Sequence, residues 1–330
     1  LSKTLSSLRI AVVGATGLVG AAMLRILAEN NFPLKQIGAF ASSRSTGIQL
    51  PYGNSSIIVQ SESDLNDSYD LIFGFCSSGV TKSLHDRWQS FGKVVIDNSS
   101  AYRLTDGIPL VVPEVNLNAL KHHTGWIANP NCSTIQMVRV LHALKKLGLH
   151  EVSVATYQSV SGAGRGGLGE WEAQQSGSIS TEKLHGIMEG NVIPWIAQFD
   201  EEGTTFEEFK MKHETRKILE LPTLAVTATC VRVPVSVSHS EAVHITLDQP
   251  TTRAEIIELL KSESGIIIRD ELAGDVLPSP KEAEGTDDVF VGRIRTDPDD
   301  RRRIALWVVA DNVRVGAATN AFRIARALFA

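Results

Sequence analysis

Directly after a short apolar run, Ile10-Ala11-Val12-Val13, stands Gly14-Ala15-Thr16-Gly17-Leu18-Val19-Gly20. No other stretch of the 330 residues limits the fold as much. Glycines at these three places allow a tight turn, close approach of the main chain to a pyrophosphate, and close packing of a helix on a strand. The amides at the start of the following helix, read over Leu18 to Glu29, then face the phosphates. Gly14, Thr16, Gly17, Leu18 and Val19 are therefore candidate cofactor contacts. The spacing is G-x-x-G-x-x-G rather than the commoner G-x-G-x-x-G, and a plain structural turn could use the same glycines. Position between a first strand and a first helix favours dinucleotide binding.

Further apolar runs follow at Ile37 to Ala41, Leu71 to Phe75 and Val94 to Asp97, with a helical pattern from Val80 to Gln89. Strands alternating with helices across glycine junctions predict a Rossmann-type α/β fold with a doubly wound parallel sheet, its ligands at the carboxyl ends of the strands. After about Thr134 the pattern changes. A helix is expected from Ile135 to Leu147. Strands are expected at Glu151 to Val160, Val226 to Val233, Ala242 to Leu247, Asp288 to Arg293 and Ile304 to Ala310. Few helices separate these runs, which predicts a second, α+β domain on a mainly antiparallel or mixed sheet. An amphipathic helix, Gly316 to Leu328, closes the chain, and Gly177 to Phe209 reads as irregular.

The second strand indicates which dinucleotide is bound. An NAD site usually carries an acid at its end to hold the ribose hydroxyls. Here the strand runs into Ser42-Ser43-Arg44-Ser45-Thr46, without an acid. Arg44 and the hydroxyls of Ser42, Ser43, Ser45 and Thr46 suit a 2′-phosphate; a plain polar loop is the ordinary alternative, and NADP is the expected cofactor.

Charge and cysteine count exclude other classes. A net charge of −5 argues against a nucleic-acid binder. The one basic run, Arg301 to Arg303, follows an acidic turn. Cys76, Cys132 and Cys230 are odd in number and widely spaced, so neither a disulfide framework nor a zinc site is expected. No apolar run is long enough to span a membrane, and a cytoplasmic protein is expected.

Cys132 stands in Asn129-Pro130-Asn131-Cys132-Ser133-Thr134, ahead of a helical pattern. Its place in a first helical turn favours thiolate and offers free amides to an oxyanion. A small core cysteine is the ordinary alternative. Among nine histidines, His239 draws attention because Pro234 breaks the ladder before it, placing it in or beside a connection between strands. An ordinary surface histidine would read the same way.

In their order, the glycine turn, the Asn129 to Thr134 run, Tyr157-Gln158-Ser159-Val160-Ser161-Gly162-Ala163-Gly164, and Cys230-Val231-Arg232-Val233-Pro234 with His239 following resemble the aspartate-β-semialdehyde dehydrogenase family. The likeness runs over essentially the whole chain, to Gly316-Ala317-Ala318-Thr319-Asn320-Ala321. It implies that Cys132 is the nucleophile, His239 the acid/base, and Gln158 an orienting group. It implies that Arg232 holds a substrate α-carboxylate, that Glu207 and Lys210 lie near the amino group and phosphate, and that Arg103 is a second phosphate cation. Asn131 and Ser100 are implied as supporting contacts, and Ser77, Ser161, Gly162 and Asn320 as further cofactor contacts.

The implied reaction is NADPH-dependent reductive dephosphorylation of L-aspartyl-4-phosphate, in the biosynthesis of lysine, threonine, methionine, isoleucine and diaminopimelate. The implied domains are 1–131, completed by 314–330, and a catalytic and dimerisation domain over 132–313. A homodimer, or a tetramer of such dimers, is implied too. The chain departs from the family at Phe75 to Val80, which lacks a usual glycine pair, at Ile48-Gln49, where lysine is common, and at Val315, where a basic residue often stands. Related readings are N-acetyl-γ-glutamyl-phosphate reductase, disfavoured by Asn131 where that family has glycine, and a non-catalytic NADP-binding homologue, disfavoured by retention of Cys132, Gln158, Arg232 and His239. A cysteine hydrolase would leave the glycine turn unexplained.

Overall fold

Four consecutive apolar residues without alternation need cover on both faces, and the first strand obtains it at the centre of a sheet. The computed structural model describes residues 4–91, 93–271 and 276–330. These divide into two compact units, one running to Asn131 and taking in Ala317–Ala330, the other Cys132–Gly316.

The first unit is built on seven strands: β1 (Ile10–Val13), β2 (Ile37–Ala41), β3 (Gln49–Tyr52), β4 (Ser55–Ser61), β5 (Leu71–Gly74), β6 (Val94–Asp97) and β7 (Trp126–Ala128). Their order is β3-β4-β2-β1-β5-β6-β7. All neighbours are parallel except the β3–β4 hairpin. Every residue of β1, β2 and β5 is buried. Strand order reverses at β1, so its carboxyl end, where Gly14 stands, is the switch point at which such sheets bind ligands. Helices α1 (Leu18–Glu29), α2 (Ser78–Ser90) and the short α3 (Pro113–Asn116) follow their strands. Trp88, fully buried on α2, stacks on Trp126 with ring centres 6.1 Å apart, and Phe40 meets Tyr69 edge-on at 5.4 Å. Burial of each such ring contributes about 1.5–3 kcal/mol.

The second unit opens on α4 (Cys132–Leu144), of which all residues but Cys132 and His142 are buried. It continues with β8 (Leu149–Gln158), α5 (Gly164–Gln175), α6 (Phe206–Leu219), β9 (Ala225–Arg232), β10 (His239–Leu247), α7 (Arg253–Lys261), β11 (Ile266–Ile268), α8 (Pro280–Ala283), β12 (Val289–Thr296) and β13 (Arg303–Ala310). The sheet order is β11-β12-β13-β10-β8-β9. β8–β9 and β11–β12 pair in parallel and the remaining neighbours antiparallel, so the sheet is mixed. One face packs under α4 and α6. The other is open and carries the exposed Glu151, Ser153, Tyr157, Thr227 and His244. The chain then makes a wide π turn, Arg314–Ala318, and returns to the first unit as α9 (Thr319–Leu328), where Phe322 meets Phe32 and Arg323 pairs with Glu114 at 2.8 Å.

The structure corrects several expectations. Helix α4 opens with Cys132 in its first turn, as expected, but ends at Leu144 and passes into a 3₁₀ turn, Lys145–Leu147. The last helix does not start at Gly316 but after the π turn. The stretch read as irregular to Phe209 turns helical at Phe206, started by a capping box between Thr205 and Glu208. α5 and α7 lie among strands that were expected to follow one another nearly without helices. His239 stands beside the connection, as expected, as the first residue of β10, but it is wholly buried and so not an ordinary surface histidine. Among the described residues no helix is long and apolar enough to cross a membrane.

Candidate active site

The nucleotide end is made by main chain. Gly14 has φ of 81°, and a Cβ there would collide with the Phe75 carbonyl oxygen, so only glycine lets the β1 turn lie against the end of β5. The Gly14 and Ala15 amides donate to the Phe40 carbonyl at 2.9 and 3.0 Å. Gly17 is the cap residue before α1. Above these glycines lies a cavity of about 470 Å³, lined by Gly14, Thr16, Gly17, Ser42, Ser77 and Glu62 among others. A cradle with glycines at a helix start fits a dinucleotide pyrophosphate. Ser42, Arg44, Thr46 and Ser77 are exposed and Ser45 is half-buried. Glu62 is an acid that the sequence alone did not place here; Arg87 neutralises it at 2.7 Å.

Below the strand ends of the same unit runs a chain of amides. Arg103 donates to the Asn98 carbonyl at 2.7 Å, and the Asn98 side chain accepts from Asn129 at 2.7 Å. The Asn129 carbonyl in turn accepts from Asn320 at 2.7 Å, whose Nδ2 also reaches the Val111 carbonyl at 2.9 Å. Asn320 is thereby committed to bracing the ends of β6 and β7. Ser100 Oγ lies 2.8 Å from Ser78 Oγ, and Arg103 and Asn131 are buried.

The second unit assembles Cys132, Gln158, Glu207, Lys210, Arg232 and His239. Cys132 is the first residue of α4, where unpaired amides and the helix dipole favour thiolate. Gly316 packs on it: a Cβ there would stand 2.7 Å from Cys132 Cβ. The other two cysteines sit in contrary surroundings. Burial, with Asp97 and Glu62 adding to it, pushes the Cys76 thiol up to about 12, and burial with Glu207 pushes Cys230 up as well. Both stay protonated.

From the next residue of α4 a polar path leads to the surface. Gln158, last residue of β8, donates from Nε2 to Ser133 Oγ at 2.5 Å and to Glu207 Oε1 at 3.0 Å. Glu207 Oε2 pairs with Lys210 Nζ at 2.5 Å, one turn along α6. Both amide protons of Gln158 are thereby committed within the unit. The neighbouring Glu208, indistinguishable by sequence, is spent on the capping box and on the Cys230 amide.

Arg232 ends β9 and donates to the Ser159 carbonyl at 2.6 Å. Burial lowers its pKa, while Glu207 and Cys132 act on it as anionic neighbours. His239 is held near a pKa of about 3, first by burial and then by Arg232, with Glu207 opposing. Its Nδ1 accepts from the Ser159 amide at 3.0 Å, and Nε2 is buried without a hydrogen-bond partner. A Cβ on Gly162 would stand 2.7 Å from Arg232 Nη1 and 3.3 Å from His239 Nε2, so glycine leaves the approach to both open. Ser161, expected to touch the cofactor, is buried and bonded to Asn312. Sequence reasoning missed Ser133, Ser159 and Asn312, which carry no charge and become meaningful only through their contacts. A larger hollow of about 600 Å³ lies on the open sheet face beside Glu151, His244, Arg295 and Arg303, and holds none of the predicted residues.

Comparison with known proteins agrees with this layout. A family model described as semialdehyde dehydrogenase, NAD binding domain, matches residues 9–123, and one described as semialdehyde dehydrogenase, dimerisation domain, matches residues 141–315. The aspartate-semialdehyde dehydrogenase of Bacillus subtilis (strain 168) is 42% identical over 336 residues, covering 97% of each chain. That of Aquifex aeolicus (strain VF5) is 41% identical, again covering 97% of each. Among solved structures, aspartate semialdehyde dehydrogenase II from Vibrio cholerae, complexed with ASA, superposes with a TM-score of 0.93 at 38% identity, over 97% of this chain and 98% of its own.

Proposed function

The chain belongs to the aspartate-semialdehyde dehydrogenase family, and on that premise we propose that it catalyses the NADPH-dependent reductive dephosphorylation of L-aspartyl-4-phosphate to L-aspartate 4-semialdehyde. One observation supports this reading most: Cys132, the only described cysteine at a helix start, shares its unit with the buried Gln158, Glu207, Arg232 and His239 and with the half-buried Lys210 paired to Glu207. Such a set suits a small zwitterionic acyl substrate.

Each residue then has a task. The Cys132 thiolate attacks the acyl carbon and phosphate leaves, so one difficult displacement becomes two easier ones through a thioester. Arg103 and Lys210 take the phosphate charge. Arg232 holds the α-carboxylate through its planar fork, and Glu207 faces the α-ammonium. Gln158, fixed by Ser133 and Glu207, orients the acyl oxygen's neighbourhood, while Asn131 and Ser100 support the phosphate end. His239 exchanges a proton at Nε2 as the thiol is activated and as the tetrahedral species collapses. Gly14, Thr16, Gly17, Leu18 and Val19 would hold the NADP pyrophosphate, Ser42, Arg44, Ser45 and Thr46 its 2′-phosphate, and Ser77 and Gly162 the remainder, while Ser161 and Asn320 are spent on Asn312 and on Asn129 with Val111. The bound cofactor supplies the hydride.

The same reading makes the protein a cytoplasmic enzyme of aspartate-family amino-acid biosynthesis, working as a homodimer that can pair into a tetramer. The test is NADPH formation from L-aspartate 4-semialdehyde and NADP⁺, with and without phosphate. Phosphate-dependent turnover is expected. Turnover of N-acetylglutamate semialdehyde instead would contradict the substrate assignment.

A further inference from the structure

His239 can accept a proton at Nε2 only when its own hydrogen sits on Nδ1. One neighbour opposes that tautomer. The Ser159 main-chain N–H, 3.0 Å from Nδ1, can only donate, so it favours a bare Nδ1 and leaves the ring's single proton on Nε2.

The hydroxyl of the same residue is different. Ser159 Oγ also lies 3.0 Å from Nδ1, and it can donate to a bare nitrogen or accept from Nδ1–H. To accept, it must send its own hydrogen elsewhere, and Asn312 Oδ1 stands 3.1 Å away. The orientation of Asn312 follows from its contacts. The Ser238 main-chain N–H donates to Oδ1 at 2.9 Å, which identifies that atom as oxygen, and Nδ2 donates to Ser161 Oγ at 3.0 Å. Ser161 Oγ is 3.0 Å from Ser159 Oγ and completes the cluster. Ser159, Ser161, Ser238 and Asn312 are all buried, so water does not offer the alternative acceptor.

We propose that Ser159 and Asn312 form a hydroxyl relay that makes the base-competent tautomer of His239 accessible, and that both are positioning residues for proton transfer at Nε2. The proposal rests on the reading of His239 as the acid/base. When the imidazolium gives up its Nε2 proton, the N–H bond at Nε2 breaks and the proton goes to the reacting oxygen or sulfur. The neutral ring keeps its hydrogen on Nδ1, donates it to Ser159 Oγ, and Ser159 donates to Asn312 Oδ1. When Nε2 holds the hydrogen, the Ser159 hydroxyl turns and donates to Nδ1.

The charged groups facing the ring are Arg232 from β9, which disfavours its cation, and Glu207 from α6, which favours it. Gln136 of α4 donates to the His239 carbonyl at 3.4 Å and lies against Glu241, which is buried further along β10 with its carboxyl pushed up by burial. Asp311, beside Asn312, is turned away onto the amides of Gly285, Val313 and Arg314.

The experiment combines kinetics with nitrogen NMR of isotope-labelled histidine, on Ser159→Ala, Ser159→Thr, Asn312→Asp and His239→Gln. In Ser159→Ala, kcat should fall by about 10- to 100-fold with KM nearly unchanged. The His239 signal should collapse to the Nε2–H tautomer. Ser159→Thr, which keeps the hydroxyl, should restore both. Asn312→Asp places an anion behind Ser159 and should raise the titration of His239 by about one unit. Unchanged tautomer populations in Ser159→Ala, a Thr variant as impaired as the Ala variant, or a downward shift in Asn312→Asp would overturn the relay. If Ser159→Ala does not fold, the direction of the Asn312→Asp shift decides. A His239→Gln enzyme with full kcat would instead remove the acid/base reading, whatever the relay variants show.

Discussion

The two units of this chain set out their polar groups by opposite means, one forming a nucleotide end and the other, with Cys132, a chemical end. At the nucleotide end, main-chain amides and missing side chains do the work, and the polar side chains around them, Ser42, Arg44, Thr46 and Ser77, are exposed. At the chemical end the polar side chains themselves are inside: Gln158 is 1% exposed, Glu207 5%, Arg232 6% and His239 0%. An exposed contact competes with water and is worth little on its own. A buried one has been removed from water in advance, so each member must keep its partner. The comparison therefore predicts a graded cofactor end and a brittle chemical end.

The largest effect belongs to Cys132→Ala, which should lower kcat by at least about a thousandfold while leaving NADP binding unchanged, since burial keeps Cys76 and Cys230 protonated and unable to replace it. Stopped-flow kinetics and cofactor titration check both halves. Next comes Glu207→Gln. It leaves the Lys210 ammonium without its anion while an amide oxygen still accepts from Gln158, and should cost about 3–5 kcal/mol of stability, read by denaturant unfolding. A cost under about 1 kcal/mol would show that the chemical end is not brittle.

Gly14→Ala is the exception that sharpens the comparison, because here the cofactor end is rigid too. The new methyl meets the Phe75 carbonyl at a φ of 81°, and the KM for NADPH should rise at least about tenfold. The smallest effect is Arg44→Ala. Loss of an exposed cation should raise the KM for NADPH by about three- to tenfold, with kcat unchanged. A change in kcat there would erase the distinction between the two ends.

Acid should also separate them. The folded state holds His239 at about 3, below the ordinary histidine value, so the unfolded chain binds its proton first. Stability from this group is complete above about pH 6.5 and is lost as pH falls toward 3. His239→Gln should flatten that part of the stability profile. An unchanged slope would mean that the ring is more accessible to water than its burial implies.

Legibility followed the same division. Glycine spacing and an uninterrupted apolar run are local patterns, so β1, the turn and α1 could be read with nearly correct ends. The β3–β4 hairpin escaped because Gln49–Tyr52, at the sheet's edge, and Ser55–Ser61 beside it bury only a few of their residues and carry little apolar pattern. At the chemical end the reactive types, Cys132 and His239, were visible through motif and resemblance, but their surroundings were not. Ser133 meets Gln158 from 25 residues away, and Asn312 meets Ser159 from 153 residues away. Nothing local marks a neutral serine or asparagine for such a contact. Glu62 was hidden for the same reason: it reaches the nucleotide cavity from the end of β4, a strand that had not been recognised.

The central claim is that Cys132 carries the acyl group. The direct measurement is rapid quenching of the enzyme mixed with L-aspartate 4-semialdehyde and NADP⁺ in the absence of phosphate, followed by peptide mass spectrometry. The account predicts an aspartyl adduct on the peptide containing Cys132, released when phosphate is added and absent from Cys132→Ala. An adduct on another residue, or phosphate-dependent turnover that persists in Cys132→Ala, would contradict it.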